Sequence, residues 1–95
     1  MADLIFDGEY ANIPEGTQSA LLWYVTTGQP VGDFLHAVLC NDLQGAYAHA
    51  DDENARALRS IVRWVFNRAP SSCWGSRNHV RAWQGRHGQK GEHAA

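Results

Sequence analysis

Lysine is nearly missing from this 95-residue chain: Lys90 is the single example beside seven arginines, and the formal net charge is −2. Nucleic-acid-binding domains this small are ordinarily basic, so the overall charge argues against duplex binding as the first reading. Long apolar runs are missing too. No stretch approaches the roughly 18 residues of a membrane span, and the opening Met-Ala-Asp-Leu does not start like a secretory signal, so the expectation is a cytoplasmic protein with no membrane partner. Cysteine is sparse. Cys40 and Cys73 form no Cys-x-x-Cys unit, and without a secretory context they read as free thiols packed as small hydrophobes. A zinc alternative would pair His36 with Cys40, four residues apart, and Cys73 with His79, six apart. That spacing belongs to no standard zinc module, so no metal is expected. Phosphate-binding glycine loops, His-Glu-x-x-His and Gly-x-Ser-x-Gly are all absent, and no cofactor is expected.

What is present is a foldable composition, 44% apolar and 19% charged. A chain this short buries roughly 60–70% of its unfolded surface, enough for one modest core. The charge is sorted along the chain. Residues 1–54 hold nine acids and no Lys or Arg; residues 55–95 hold all eight bases and one acid, Glu92. The halves therefore carry formal charges of −9 and +7. They either interleave on folding or leave a bipolar molecule with a basic face for an anionic partner.

The pattern predicts a compact all-α bundle of about four helices with short connections. Residues 1–12 form an N-terminal arm, either an ordered edge or a frayed end. Residues 13–84 form a single helical domain, and 85–95, rich in glycine, a disordered tail. Helix one starts at a capping box of Asn12 and Glu15, buries Thr17, Ala20, Leu21, Tyr24 and Val25, and ends at Gly28 before Pro30. Helix two begins near Asp33 and carries Phe34, Leu35, Val38, Leu39, Leu43 and Ala46. Asp42 falls inside that apolar stripe. An unpaired carboxylate there is costly, so it must find donors, pair with a base, or break the helix. The neighbouring Asn41 favours a break near residues 40–42. Helix three is capped by Asp51 or Asp52, and its core face is Leu58, Ile61, Val62, Val65 and Phe66. Trp64 and Arg68 then fall to one flank, and Arg56, Ser60, Arg63 and Asn67 lie opposite the core. After Pro70 and the turn Ser71–Gly75, Ser76 caps a short last helix in which Val80 and Trp83 pack inward.

Several blocks carry a likeness. They are Ile13-Pro14-Glu15-Gly16-Thr17, Ala20-Leu21, Tyr24-Val25, Phe34-Leu35, Ala37-Val38-Leu39, Asn41-Asp42-Leu43 and Ala50-Asp51. Asn54, Leu58, Ile61-Val62, Asn67, Pro70, Cys73-Trp74-Gly75-Ser76, Val80 and Trp83 continue it. Over residues 13–83 the chain resembles a family of small phage and prophage accessory proteins. The resemblance implies a protein working in the cytoplasm of a bacterial host. It transfers no mechanism.

The candidate sites follow from the aromatics and arginines. Four tryptophans in 95 residues are a large share. Trp74 reads as core beside its turn, whereas Leu22, Trp23 and Trp64 leave their helices' main stripes and read as a contact surface, or as the second buried face of a central helix. Trp64 with Arg68 one turn on, and Arg56 and Ser60 before it, is suited to stack a nucleobase and bind phosphate. Arg77, Asn78 and Arg81 on the last helix could instead face a nucleic acid. Asn41, Asp42, Asn67, Trp74 and Ser76 read as structural polar positions. A nucleophile would need Cys73 to meet His79, or Asp42 to act as a carboxylate base, and neither pattern is specific. The expectation is therefore a non-enzymatic accessory protein that acts by binding, as an oligomer. Its partner would be a host defence protein or that protein's nucleotide signal. The alternative is a small nucleic-acid-binding regulator using Arg56, Arg63, Arg77 and Arg81.

Overall fold

Tyr24, Trp64 and Leu39 have no solvent exposure, and the helices are arranged around them. The computed structural model describes residues 4–94, with side chains to Gly85. Among these residues the fold is all-α, with no strand: α1 (Glu15–Thr27), α2 (Asp33–Leu39), α3 (Leu43–His49), α4 (Asp52–Arg56), α5 (Leu58–Arg68) and α6 (Arg77–Ala94). Two 3-10 turns, Gly8–Asn12 and Ser71–Cys73, flank α1 and α6. The four expected helices have become six, because the second and third are each interrupted.

The first interruption has a clear cause. Asn41 adopts φ 63°, the left-handed conformation that asparagine tolerates better than most residues. With it, the Asn41 amide donates to the Val38 carbonyl at 3.1 Å and the Asp42 amide to Ala37 at 2.8 Å, the paired bonds of a Schellman stop for α2. Asp42 then caps α3 by accepting from the Gly45 amide at 3.0 Å. One dipeptide thus ends one helix and starts the next, and the carboxylate leaves the apolar stripe for the boundary. Gly45 is needed for this approach, since a Cβ there would lie 2.4 Å from Asp42 Oδ2 and 3.3 Å from the Ala37 Cβ.

The second interruption is milder. Asp51 caps α4 through the Asn54 amide at 2.8 Å, and Ala57 (φ −97°, ψ 5°) separates α4 from α5. No glycine or proline sits there. The break accompanies burial of Ala57 and the Thr17 hydroxyl donating to Asn54 Oδ1 at 2.6 Å, which ties α4 to α1.

α1 buries Thr17, Leu21, Tyr24 and Val25 and stops at Gly28 (φ 74°), whose amide reaches the Tyr24 carbonyl. Its expected capping box does not form. Asn12 belongs to the preceding 3-10 turn, Pro14 precedes the helix without a side-chain cap, and Gln18 Nε2 donates instead to the Ile13 carbonyl at 2.8 Å. Tyr24 joins the two ends of the chain's core: its hydroxyl donates to the Cys73 carbonyl at 2.7 Å, and Trp83 Nε1 donates to its carbonyl at 2.9 Å. The Ser76 hydroxyl accepts from the His79 amide at 3.1 Å at the start of α6. The helix continues past Gln84 to Ala94; the side chains on which the tail expectation rests lie outside the described residues.

Residues 4–12 are an ordered edge. Phe6 stacks on Trp64 with ring centroids 4.6 Å apart, Trp64 Nε1 donates to the Ile5 carbonyl at 2.9 Å, and Tyr10 is buried. No helix is long and apolar enough to cross a membrane, among the described residues.

Candidate protein-binding face

α5 is apolar at more positions than one face can bury. Ile61, Trp64 and Val65 point inward and are essentially inaccessible. Leu58, Val62 and Phe66, four residues apart, make a second stripe; Leu58 is partly buried against the core, while among the described residues Val62 and Phe66 stay 45% and 69% exposed. α3 repeats the arrangement in miniature. Ala46 is buried, while Leu43 and Tyr47, one turn apart, are 73% and 72% exposed. A helix buries a stripe only where another element packs on it, so these residues mark missing cover.

Between α3 and α5 runs an apolar groove of about 100 Å3, bounded by Val38, Leu43, Ala46, Leu58, Val62, Val65 and Trp74. Asn41 and Asp42 close one end. Phe66 meets Trp74 edge to face at 5.9 Å, which carries the apolar surface from α5 onto the loop before α6. Trp74 Nε1 is buried there with no acceptor among the described residues. Whole aromatic side chains present about 150–250 Å2 each, so Leu43, Tyr47, Val62 and Phe66 together show on the order of 500 Å2, at the upper end for the largest apolar patch on a monomer.

Among the described residues, Asp42 is the single ionisable one bounding the groove. Its Oδ1 caps α3, and its Oδ2 lies 3.9 Å from the Arg77 guanidinium. The face is therefore apolar with a local, internally balanced charge at one end.

The structure rearranges the residues singled out from the sequence. Trp64 is corrected most: expected on a flank, it is fully buried, with Phe6 across its ring and its N–H bonded to Ile5. The N-terminal segment supplies that cover, so no open indole face remains to stack a base. Val62 and Phe66 are corrected in the opposite sense, from core to surface, while Trp74 is partly buried and packs against the core. Arg68 pairs with Asp7 at 3.4 Å and lies 5.0 Å above the Tyr10 ring, so it belongs to the clasp on the N-terminal segment. Asn67 Nδ2 joins the clasp by donating to the Tyr10 hydroxyl at 3.0 Å. Arg56, at the end of α4, and Ser60, half-buried on α5, are not gathered with Arg68 at any indole face. Trp23 is 61% exposed on α1. Arg77 and Arg81 are exposed and line a shallow depression with His36, Val80 and Gln84.

The charge halves interleave: Arg63–Glu9 at 3.0 Å, Arg68–Asp7 and Arg77–Asp42 each join a base of the second half to an acid of the first. The four candidate zinc ligands are not gathered. His36 Nε2 lies 3.5 Å from Cys40 Sγ, whereas His79 Nδ1 is bonded to the Ser76 hydroxyl and Cys73 is buried. Among the described residues, no group of three or more His, Cys, Asp or Glu is placed to hold a metal ion. Burial pushes the Cys73 thiol up to about 11. It also raises Cys40, where the Arg77 guanidinium opposes the shift and Asp42 adds to it. Both sulfurs are thus protonated at neutral pH, the unreactive state of a thiol.

Sequence reasoning missed the open face. Leu58, Val62 and Phe66 were visible as apolar positions, but the same arc could point inward or outward. The available signal was its width: residues 58, 61, 62, 64, 65 and 66 are all apolar, more than one packing partner covers. Leu43 and Tyr47 at i and i+4 on either side of the inward Ala46 were a second hint.

Fold and face together define a small all-α domain with an uncovered two-helix apolar surface. No family model, curated protein or solved structure matches the chain.

Proposed function

We propose that this protein acts by binding another polypeptide through the α3–α5 face and catalyses no reaction. The observation that carries the reading is the apolar groove bordered by the exposed Leu43 and Val62, with the exposed Phe66 against its Trp74 wall and the exposed Tyr47 one turn on from Leu43 along α3. An apolar patch at the upper end of what a monomer shows is often a functional surface, and here it is the surface on which a partner would pack. Aromatics at the centre of such a patch are the residues that anchor protein interfaces. A nucleic-acid regulator draws less support, because Arg63, Arg68 and Arg77 are engaged with the chain's own acids. Capture of a nucleotide signal at Trp64 draws less as well, since Phe6 occupies the indole face. The resemblance to phage and prophage accessory proteins supplies the setting: a counter-defence protein in the host cytoplasm, whose α3–α5 face assembles it into an oligomer and whose assembled form blocks a bacterial immune protein.

The test is photo-crosslinking in bacterial cells from a benzoyl-phenylalanine placed at position 47. The expected product is a protein adduct of defined mass that is lost when Phe66→Glu is added. A nuclease-sensitive product, or none, overturns the reading.

A further inference from the structure

We propose that the occupant of the α3–α5 face is a second copy of this chain, paired about a two-fold axis. The proposal rests on the reading of the face as a protein-binding surface and names what covers it.

Three observations carry it. The first is area. A stable interface of ordinary size buries about 800 Å2 on each partner, and in homodimers about 65% of that is apolar. The apolar share is then on the order of 500 Å2 per partner, which matches what Leu43, Tyr47, Val62 and Phe66 expose. Against a total accessible surface of 6043 Å2, such an interface would cover about an eighth of the molecule, as is usual for a small protein.

The second is shape. The face carries both projections and a recess: Leu43, at the rim of the groove, and Phe66, against its Trp74 wall, stand out at 73% and 69% exposure, and Tyr47 projects one turn on along α3. An isologous interface sets the same patch against itself, so a projection of each copy meets the recess of the other. A groove without projections would leave a void on self-pairing; this face does not have that defect. Two helices from each copy would form a four-helix layer, the arrangement in which stripes at i, i+4 and i+8 are buried.

The third is charge. Self-pairing fails when it brings like charges together. Asp42, the one ionisable residue bordering the groove, already has its Oδ1 on the Gly45 amide and its Oδ2 facing Arg77. Among the described residues the rest of the groove lining is uncharged, so no like charges meet inside the groove across the two-fold.

The experiment is sedimentation equilibrium of the full chain from about 1 to about 200 µM, the span over which a dimer of standard area assembles. The expected mass is two chains. Phe66→Glu on α5 and, separately, Leu43→Glu on α3 each return it to one chain while helical content by circular dichroism stays unchanged. Trp23→Glu, an exposed tryptophan on α1, leaves the dimer intact. A single-chain mass at every concentration overturns the second copy as occupant. So does a dimer that ignores both substitutions. In either case the position-47 crosslink separates this failure from that of the wider reading: an adduct with a different protein leaves the binding function standing, and no protein adduct removes both.

Discussion

The two sides of α5 carry similar apolar residues and meet opposite fates. On one side Trp64 is sealed by Phe6 and by its hydrogen bond to Ile5, and the seal is fastened at the rim by Arg63–Glu9 and Arg68–Asp7. On the other, Val62 and Phe66 stay exposed among the described residues, with Trp74 edge-on to Phe66. Residue type does not distinguish the sides; the presence of a partner segment does. The same helix thus shows what a satisfied apolar face looks like in this protein and, one strip over, what an unsatisfied one looks like.

The largest expected effect lies on the sealed side. Trp64→Ala removes the central ring of the core and leaves a cavity under Phe6, a change of about 3–5 kcal/mol that is a large fraction of a small domain's stability. Urea denaturation should show a collapsed midpoint, and residues 4–12 should become protease-sensitive. A Trp64→Ala protein that unfolds like the parent would show that the sealed side is no more important than the open one.

Beneath that side, alkaline pH provides a second and smaller test. Burial pushes the Cys73 thiol from its ordinary 9.0 up to about 11, so the folded state holds its proton more tightly than the unfolded chain. Stability is therefore complete below pH 9 and declines as pH rises toward 11, by on the order of 2 kcal/mol. The buried Tyr24 phenol, also raised, extends the decline to higher pH. Urea midpoints from pH 8 to 11 should fall for the parent and fall less for Cys73→Ala; equal slopes would refute the assignment to Cys73.

How much of this contrast was legible in the sequence depends on how local its cause is. The stop at Asn41-Asp42 was readable, because an acid in an apolar stripe beside asparagine has few local solutions, and the structure combines a break, an amide donor and a basic partner. The inward residues of α1 and the Gly28 stop were readable for the same reason. The orientation of α5 was not. Its arc was wide enough to be rotated either way, and the choice was made by a segment more than 50 residues earlier in the chain, where Phe6 and Ile5 meet Trp64. With Trp64 drawn inward, Val62 and Phe66 turned out. The candidate face is therefore a consequence of tertiary docking, which periodicity within a helix does not encode. The interleaving of the charge halves has the same origin, since Glu9 and Asp7 reach Arg63 and Arg68 only because that segment docks.

The boundary of the open face rests on the α2–α3 joint, and Gly45→Ala sharpens its role. The added Cβ would displace the Asp42 carboxylate from the Gly45 amide. Loss of one helix cap costs about 1 kcal/mol, read as a shift in the denaturation midpoint. Because Leu43 is the first residue of α3, self-association should weaken along with stability. A stability loss with unchanged association would show that α3 contributes little to the face.

The smallest stability effect is expected where the functional effect is greatest. Phe66 is 69% exposed and packs edge-on against the partly buried Trp74, so Phe66→Glu should change monomer stability by only about 0.5 kcal/mol, the low end for loss of an aromatic pair. The glutamate also sits in the last turn of α5, where a negative charge is mildly unfavourable, which makes a small loss more natural than a gain. Denaturation measured at low protein concentration isolates this intrinsic term, because any stability that depends on a partner disappears on dilution. Repeating the measurement at high concentration restores the partner's contribution for the parent and not for the variant. The gap between the two proteins should therefore widen with concentration on the open side of α5. For Trp64→Ala, whose loss is internal to one chain, a large gap should already be present at low concentration.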